Sequence, residues 1–266
     1  MSNQQTQDLL YSVDGRGVAT LTLNRPEKHN AFDDKLILAL TEHFKEAGSD
    51  PKVRVLVLAA NGKSFCAGAD ANWMKRMASY SFEENVADAK ALATMLYTLN
   101  SLPKPTIAKV NGAAYGGAVG LVACCDMAVA TKLSKFCLSE VKLGLIPATI
   151  SPFVIDAMGA RVARRYFTTA EIFSARRARR LGLVSEAVTE EELDGTVESL
   201  IDAILKNSPD AISAAKQLIF DVSAEQDAEE LMEKTSLRIA TVRVSEHGQE
   251  GLTAFLDKRR PNWYQE

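Results

Sequence analysis

Three stretches of this 266-residue chain hold residues whose types and spacing could do chemistry. The first is Glu140 within Phe136-Cys137-Leu138-Ser139-Glu140-Val141-Lys142-Leu143-Gly144-Leu145-Ile146-Pro147, one carboxylate in a largely apolar run. Burying a carboxyl group is expensive unless it is paired or functional, and burial raises its pKa toward values useful for proton transfer. A backbone cap, or a pair with Lys142 or an arginine, is the other role open to it. The second and third are turns of small residues, Lys63-Ser64-Phe65-Cys66-Ala67-Gly68-Ala69-Asp70 and Tyr115-Gly116-Gly117, each at a predicted strand-to-helix junction. Backbone N–H groups are unpaired at such junctions and small side chains do not shield them. Two of them aimed at one point make an oxyanion hole, reinforced at a helix N-terminus by the dipole; small residues there also serve close helix–strand packing.

Other chemistries fail on spacing. Gly62-Lys63-Ser64 has the end of a phosphate-binding loop, but the glycine required five positions earlier is Val57. No G-x-G-x-x-G fits residues 112–120, no G-x-S-x-G elbow occurs, and His29, His43 and His247 are scattered. The cysteines Cys66, Cys124, Cys125 and Cys137 contain no C-x-x-C, which argues against a disulfide framework and a metal site.

The elements that must position these residues alternate. Two short strand-like runs at 8–13 and 17–23 flank Asp14-Gly15 as a hairpin. Leu36, Leu40, Phe44 and Ala47 are at helical spacing within 33–47, and Val53–Leu58 is an apolar run of the kind buried on both faces. The spacing then predicts a helix over 84–101, a strand at Thr106–Val110, a small-residue helix over 116–124 and a strand at Met127–Ala130. This order indicates an α/β fold with right-handed crossovers. Beyond about residue 190 the strands stop and helical periodicity fills 190–206, 209–222, 225–245 and 246–257.

Composition fits a folded globular protein: 47% hydrophobic and 24% charged residues exclude disordered and low-complexity classes, and a net charge of −3 provides no overall positive field for nucleic acid or membrane. The polar start MSNQQTQDLLYSV lacks the basic and apolar regions of a signal peptide, and no run of 18 apolar residues occurs, so a cytoplasmic location is expected. Seven arginines between Arg161 and Arg180 are the one feature favouring RNA, though such clusters more often form solvated faces or ion pairs.

Over nearly its whole length the chain resembles the enoyl-CoA hydratase/isomerase (crotonase) family. The resemblance is carried by Asn24-Arg25-Pro26-x-Lys28-x-Asn30-Ala31, Phe65-x-Ala67-Gly68-Ala69-Asp70, Asn111-Gly112-x-Ala114-x-Gly116-Gly117, Cys125-Asp126, the Glu140-to-Pro147 stretch and Glu250-Gly251-x-x-Ala254-Phe255-x-x-Lys258-Arg259-x-Pro261. It implies a spiral of ββα units over 1–190 and a helical trimerisation region over 191–266, assembled as a trimer or dimer of trimers. It implies an acyl-CoA thioester as substrate, no cofactor beyond that CoA, and no metal. Its oxyanion donors are the N–H groups of Ala69 and Gly117, and its general acid–base is Glu140. Lys28, Ala31, Ala67, Asp70, Phe255 and Lys258 fall at CoA-binding positions; Gly116, Gly120 and Trp73 fall in the acyl pocket. Hydratases of the family typically carry a further glutamate where Gly120 stands here. The space so vacated suggests a branched or longer acyl group, and the motifs look most like methylglutaconyl-CoA and carboxygeranoyl-CoA hydratases.

Overall fold

The computed structural model describes residues 8–225 and 227–264. A hairpin opens it: β1 (Leu9–Val13) and β2 (Val18–Leu23) pair antiparallel, Leu9 opposite Leu23 and Val13 opposite Ala19. The Asp14 carboxylate accepts from the N–H groups of Arg16 and Val18 and thereby shapes the turn. Helix α1 (Asp34–Ser49) starts at Asp33, whose side chain caps the Leu36 N–H, and it buries Leu36, Ile37, Leu40, Phe44 and Ala47 on one face.

Three consecutive units of the same plan follow, each a strand, a second short strand and then a helix. They are β3 (Val55–Ala60), β4 (Ser64–Cys66), α2 (Ala71–Met77) and α3 (Phe82–Asn100); β5 (Thr106–Val110), β6 (Ala113–Tyr115) and α4 (Gly117–Cys124); and β7 (Met127–Thr131), β8 (Lys135–Cys137), a 3₁₀ turn Glu140–Leu143 and α5 (Ser151–Met158). The first strands of the units join the hairpin, and the second strands form a separate sheet. After α6 (Ala160–Thr169), β9 (Phe173–Ser174), α7 (Ala175–Arg180) and β10 (Glu186–Val188), the sheets are complete. The larger has the order β1-β2-β3-β5-β7-β10, parallel from β2 onward; the smaller has β4-β6-β8-β9, parallel up to β8. This repetition is the spiral of ββα units expected from the family resemblance. The short second strands were legible only as turns, because three residues are too few to display a period of two.

Helix α8 (Glu190–Leu205) moves the expected boundary at 190. Its Leu193, Val197 and Ile201 are buried with Val18, Val55, Val57, Ile107 and Val129, so it covers the outer face of the large sheet and belongs to the core. The helical region proper is α9 (Pro209–Ala224), α10 (Ala228–Val244) and α11 (Glu246–Leu256). None of the residues described in α9 and α10 is buried, and Ala254 alone is buried in α11. An apolar cavity of about 820 Å³ lies between α9 and α10, while Ile219, Met232, Leu237 and Val244 face outward at 64–76% exposure. Monomeric proteins seldom leave that much apolar surface uncovered.

Candidate functional site

The small sheet brings the three predicted stretches together. Its strands run parallel with Cys66 opposite Ala114 and Tyr115 opposite Cys137. The residues that leave its C-terminal edge are Ala67-Gly68-Ala69 after β4, Gly116-Gly117 after β6 and Ser139-Glu140 after β8. Ligands of parallel α/β sheets bind beyond such edges.

Contact between the turns is tight. Gly68 has φ +92, and a Cβ there would lie 2.8 Å from the Tyr115 carbonyl oxygen, so only glycine permits this approach. Phe32 pairs with the turn as a bridge: its N–H donates to the Gly68 carbonyl and its own carbonyl accepts from the Asp70 N–H, both at 2.9 Å. In a parallel bridge of this pattern the intervening residue directs its N–H away from the partner, which leaves the Ala69 N–H without an acceptor among the described residues. The Gly117 N–H, at the first position of α4, likewise has none, since the opening N–H groups of a helix lack internal partners. Two free donors at adjoining turns can bind a carbonyl oxygen and stabilise charge that develops on it.

Glu140 stands beside them. The point at which a Cβ on Gly116 would sit is 3.5 Å from Glu140 Oε1. Glu140 Oε2 is buried with no hydrogen-bond partner among the described residues. Burial, opposed only by a hydrogen bond from its own backbone, pushes the Glu140 carboxyl above the usual carboxylate range. No cation among the described residues pairs with it, so the partnership with Lys142 or an arginine is not formed there. A carboxyl poised in this way can exchange a proton with a bound molecule.

Other predicted residues are placed differently. Gly120 does not open a cavity: a Cβ there would meet Ile150 Cγ2 at 2.3 Å and Leu96 Cδ2 at 3.4 Å, and Gly120 is buried. The space expected for an acyl branch is filled by Ile150. Trp73 is 3% exposed, donates from Nε1 to Asp88 of α3 at 3.1 Å and packs its ring 6.1 Å from that of Phe32 in the core. Asp70 is 7% exposed and spends its carboxylate capping the Asn72 and Trp73 N–H groups, with Arg25 and Lys28 nearby at 3.7 and 3.9 Å. Its carboxylate therefore anchors the start of α2. Ala67 and Lys28 are exposed beside the turn and Ala31 is buried behind it. Phe255 and Lys258 lie at the end of α11, which packs on α10 and α9, and Phe255 is 81% exposed.

Three residues that hold the site were not singled out from the sequence. Asn30, in the left-handed region at φ 56 and fully buried, accepts from the Arg25 N–H and donates to the carbonyls of Asn61 and Ser64, which fastens the 24–31 loop to the start of β4. Asparagine tolerates that backbone better than most residues, and in the sequence Asn30 stood out only as one mark of the family resemblance. Phe32 sets the ladder beside Ala69 and its ring closes over Gly117, where a Cβ would lie 2.5 Å from its Cζ. Ile150 has been described. The seven arginines of α6 and α7 are all exposed, with Arg165 paired to Glu171 and Arg179 to Glu186. No group of three or more metal-ligating side chains occurs among the described residues, and no described helix is long and apolar enough to cross a membrane.

The family model described as enoyl-CoA hydratase/isomerase matches residues 14–266. A crystal structure of an enoyl-CoA hydratase from Shewanella pealeana superposes with TM-score 0.94 at 46% identity, covering 98% of this chain and 97% of that one. The crotonyl-CoA hydratase of Syntrophomonas wolfei is 30% identical over 92% of this chain and 94% of its own length. The trans-2-decenoyl-[acyl-carrier-protein] isomerase of Streptococcus mutans is 29% identical over 97% of this chain and 98% of its own length. With the ββα spiral and the site at the edge of its small sheet, these matches establish that the chain belongs to the enoyl-CoA hydratase/isomerase family.

Proposed function

We propose that the chain adds water reversibly across the 2,3-double bond of an α,β-unsaturated acyl-CoA thioester. The observation that supports this most strongly is the convergence of the Glu140 carboxyl, whose Oε2 is buried without a hydrogen-bond partner among the described residues, with the free N–H groups of Ala69 and Gly117. The two donors bind the thioester oxygen and stabilise the enolate-like transition state, which lowers the barrier to attack at Cβ. Glu140 takes a proton from water as the water attacks Cβ and returns a proton to Cα, a syn addition served by one carboxylate.

Lys28, Ala31 and Ala67 border the CoA in this reading, and Phe255 and Lys258 meet the CoA of a neighbouring subunit. The exposed apolar residues of α9 and α10 are covered by assembly into a trimer or dimer of trimers, in the cytoplasm. A branched or glutaconyl-type acyl group rests on the resemblance of the motifs alone, because Ile150 occupies the space at Gly120. The single carboxylate also suits decarboxylation and double-bond isomerisation, the latter being the reaction in the name of the Streptococcus relative. A panel of straight, 3-methyl-branched and glutaconyl-type enoyl-CoA thioesters, followed by loss of enoyl absorbance, tests the proposal. Absorbance loss with formation of the 3-hydroxyacyl product supports it; double-bond migration with no hydration of any member overturns it.

A further inference from the structure

Ser139 immediately precedes the 3₁₀ turn Glu140–Leu143, a position where serine ordinarily turns its hydroxyl onto the free N–H groups of the first turn. The serines before α3, α7, α9 and α11 do this: Ser81, Ser174, Ser208 and Ser245 each accept from an N–H three residues on. Ser139 does not. It has φ −90 and ψ −2 in place of the extended backbone of those four, and its side chain makes no cap hydrogen bond.

The hydroxyl faces the site. Its oxygen lies 3.9 Å from the point where a Cβ on Gly116 would stand, the same point that is 3.5 Å from Glu140 Oε1. Hydroxyl and carboxylate thus flank one glycine, immediately before the free N–H of Gly117. The Ser139 hydroxyl has no hydrogen-bond partner among the described residues, and the residue is half-buried, so a small molecule can reach it. Cys137, on the preceding strand, is not a competitor. Its Sγ donates to the Ala170 carbonyl at 3.3 Å, and burial raises its thiol pKa.

Addition of water makes two demands on that water. One proton must go to a base, and the oxygen lone pair must be aimed at Cβ, which takes a second contact. Ile150 closes the Gly120 position, so no group there can provide it. We propose that the Ser139 hydroxyl holds the attacking water against Glu140, an assignment that rests on the hydration reading above. One water O–H bonds to the Glu140 carboxylate and the other to Ser139 Oγ. The water oxygen then forms the bond to Cβ while the π electrons move toward Cα and the thioester oxygen. The released proton passes to Glu140, which delivers a proton to Cα. Ser139 keeps its own proton throughout.

The test uses the full-length protein with Ser139→Ala and Ser139→Thr. Two rates are measured: hydration of the best enoyl-CoA of the panel, and exchange of the Cα hydrogens of butyryl-CoA in D₂O. Exchange needs Glu140 and the two N–H donors but no attacking water. For Ser139→Ala the expected result is a fall in the hydration kcat of roughly 10- to 100-fold, the range for losing one hydrogen bond in a closed site, with KM and exchange within about threefold of wild type. Ser139→Thr, which keeps the hydroxyl, recovers most of the hydration. Hydration by Ser139→Ala within threefold of wild type overturns the proposal. So does an equal fall in hydration and exchange, which would make Ser139 a support for Glu140 only. Wild-type protein that exchanges butyryl-CoA yet hydrates nothing instead removes the hydration reading itself.

Discussion

Substitution of Gly120 by alanine distinguishes a filled site from an empty one. In an open helix interior the change is favourable by about 1 kcal/mol, because alanine loses less backbone entropy than glycine. Here the new methyl lands 2.3 Å from Ile150 Cγ2 and 2.9 Å from its Cβ, and Ile150 is 1% exposed. Forcing a methyl into a packed core costs about 1–3 kcal/mol, so the net expectation is a destabilisation of about 1 kcal/mol. Ile150→Ala alone removes buried methyl and methylene groups and costs about 2–5 kcal/mol. The double variant places the new methyl in the cavity left by Ile150, so it is less destabilised than the sum of the singles by about 1–3 kcal/mol. Urea unfolding at one protomer concentration, with the slope checked for constancy, measures all three. A Gly120→Ala protein that is more stable by half a kcal/mol or more, or strict additivity with Ile150→Ala, would refute the packing argument. A kinetic companion serves the same end: Gly120→Ala changes kcat/KM for straight and 3-methyl-branched substrates by similar factors, whereas a glycine lining the acyl pocket would penalise the branched one alone.

Gly117→Ala brings a methyl within 2.5 Å of Phe32 Cζ and displaces the ring that sets the Gly68–Ala69 ladder; kcat should fall roughly 10²–10³-fold, as when an oxyanion donor is lost, and a variant with more than a third of wild-type kcat would contradict this. The raised pKa of Glu140 has consequences for activity and stability. Activity requires the ionised base, so kcat/KM declines as pH falls through a value above the usual carboxylate range. For stability the sign is opposite: the folded state holds its proton more tightly than the unfolded chain, so ionisation of Glu140 costs stability as pH rises through that range. Glu140→Gln should therefore equal or exceed wild type in thermal stability at pH 7, an advantage that vanishes in acid. Cys66, fully buried with its Sγ accepting from the Gly68 N–H, has its thiol pushed up to about 12, so alkylation at pH 8 should leave it unmodified until the protein is denatured.

The long elements were legible because their apolar spacing is strong. The helix predicted over 33–47 is α1 (Asp34–Ser49), that over 84–101 is α3 (Phe82–Asn100), and the apolar run at 53–58 became β3 (Val55–Ala60). The three short strands that deliver the site were not, and neither was the burial of α8, whose amphipathic pattern fits a sheet face and a free-standing bundle equally well. Glu140 stood out because a lone carboxylate in an apolar run is physically anomalous. Gly120 misled because an absent side chain in sequence says nothing of which neighbour fills its volume, and Ile150 is thirty residues away. Asn30, Phe32 and Ser139 act through backbone conformation and contacts between turns, which spacing along the chain does not encode.

The central claim is that one carboxylate, Glu140, moves the protons of the reaction, and Glu140→Gln tests it most directly. The variant keeps the shape and hydrogen-bonding reach of the side chain and removes its basicity. Steady-state hydration and the affinity for a saturated acyl-CoA are to be measured on the same preparation. The account predicts an affinity within a few-fold of wild type and a kcat lower by roughly 10²–10⁴-fold. A variant that retains more than about a tenth of wild-type kcat, well inside that acid–base range, would contradict it.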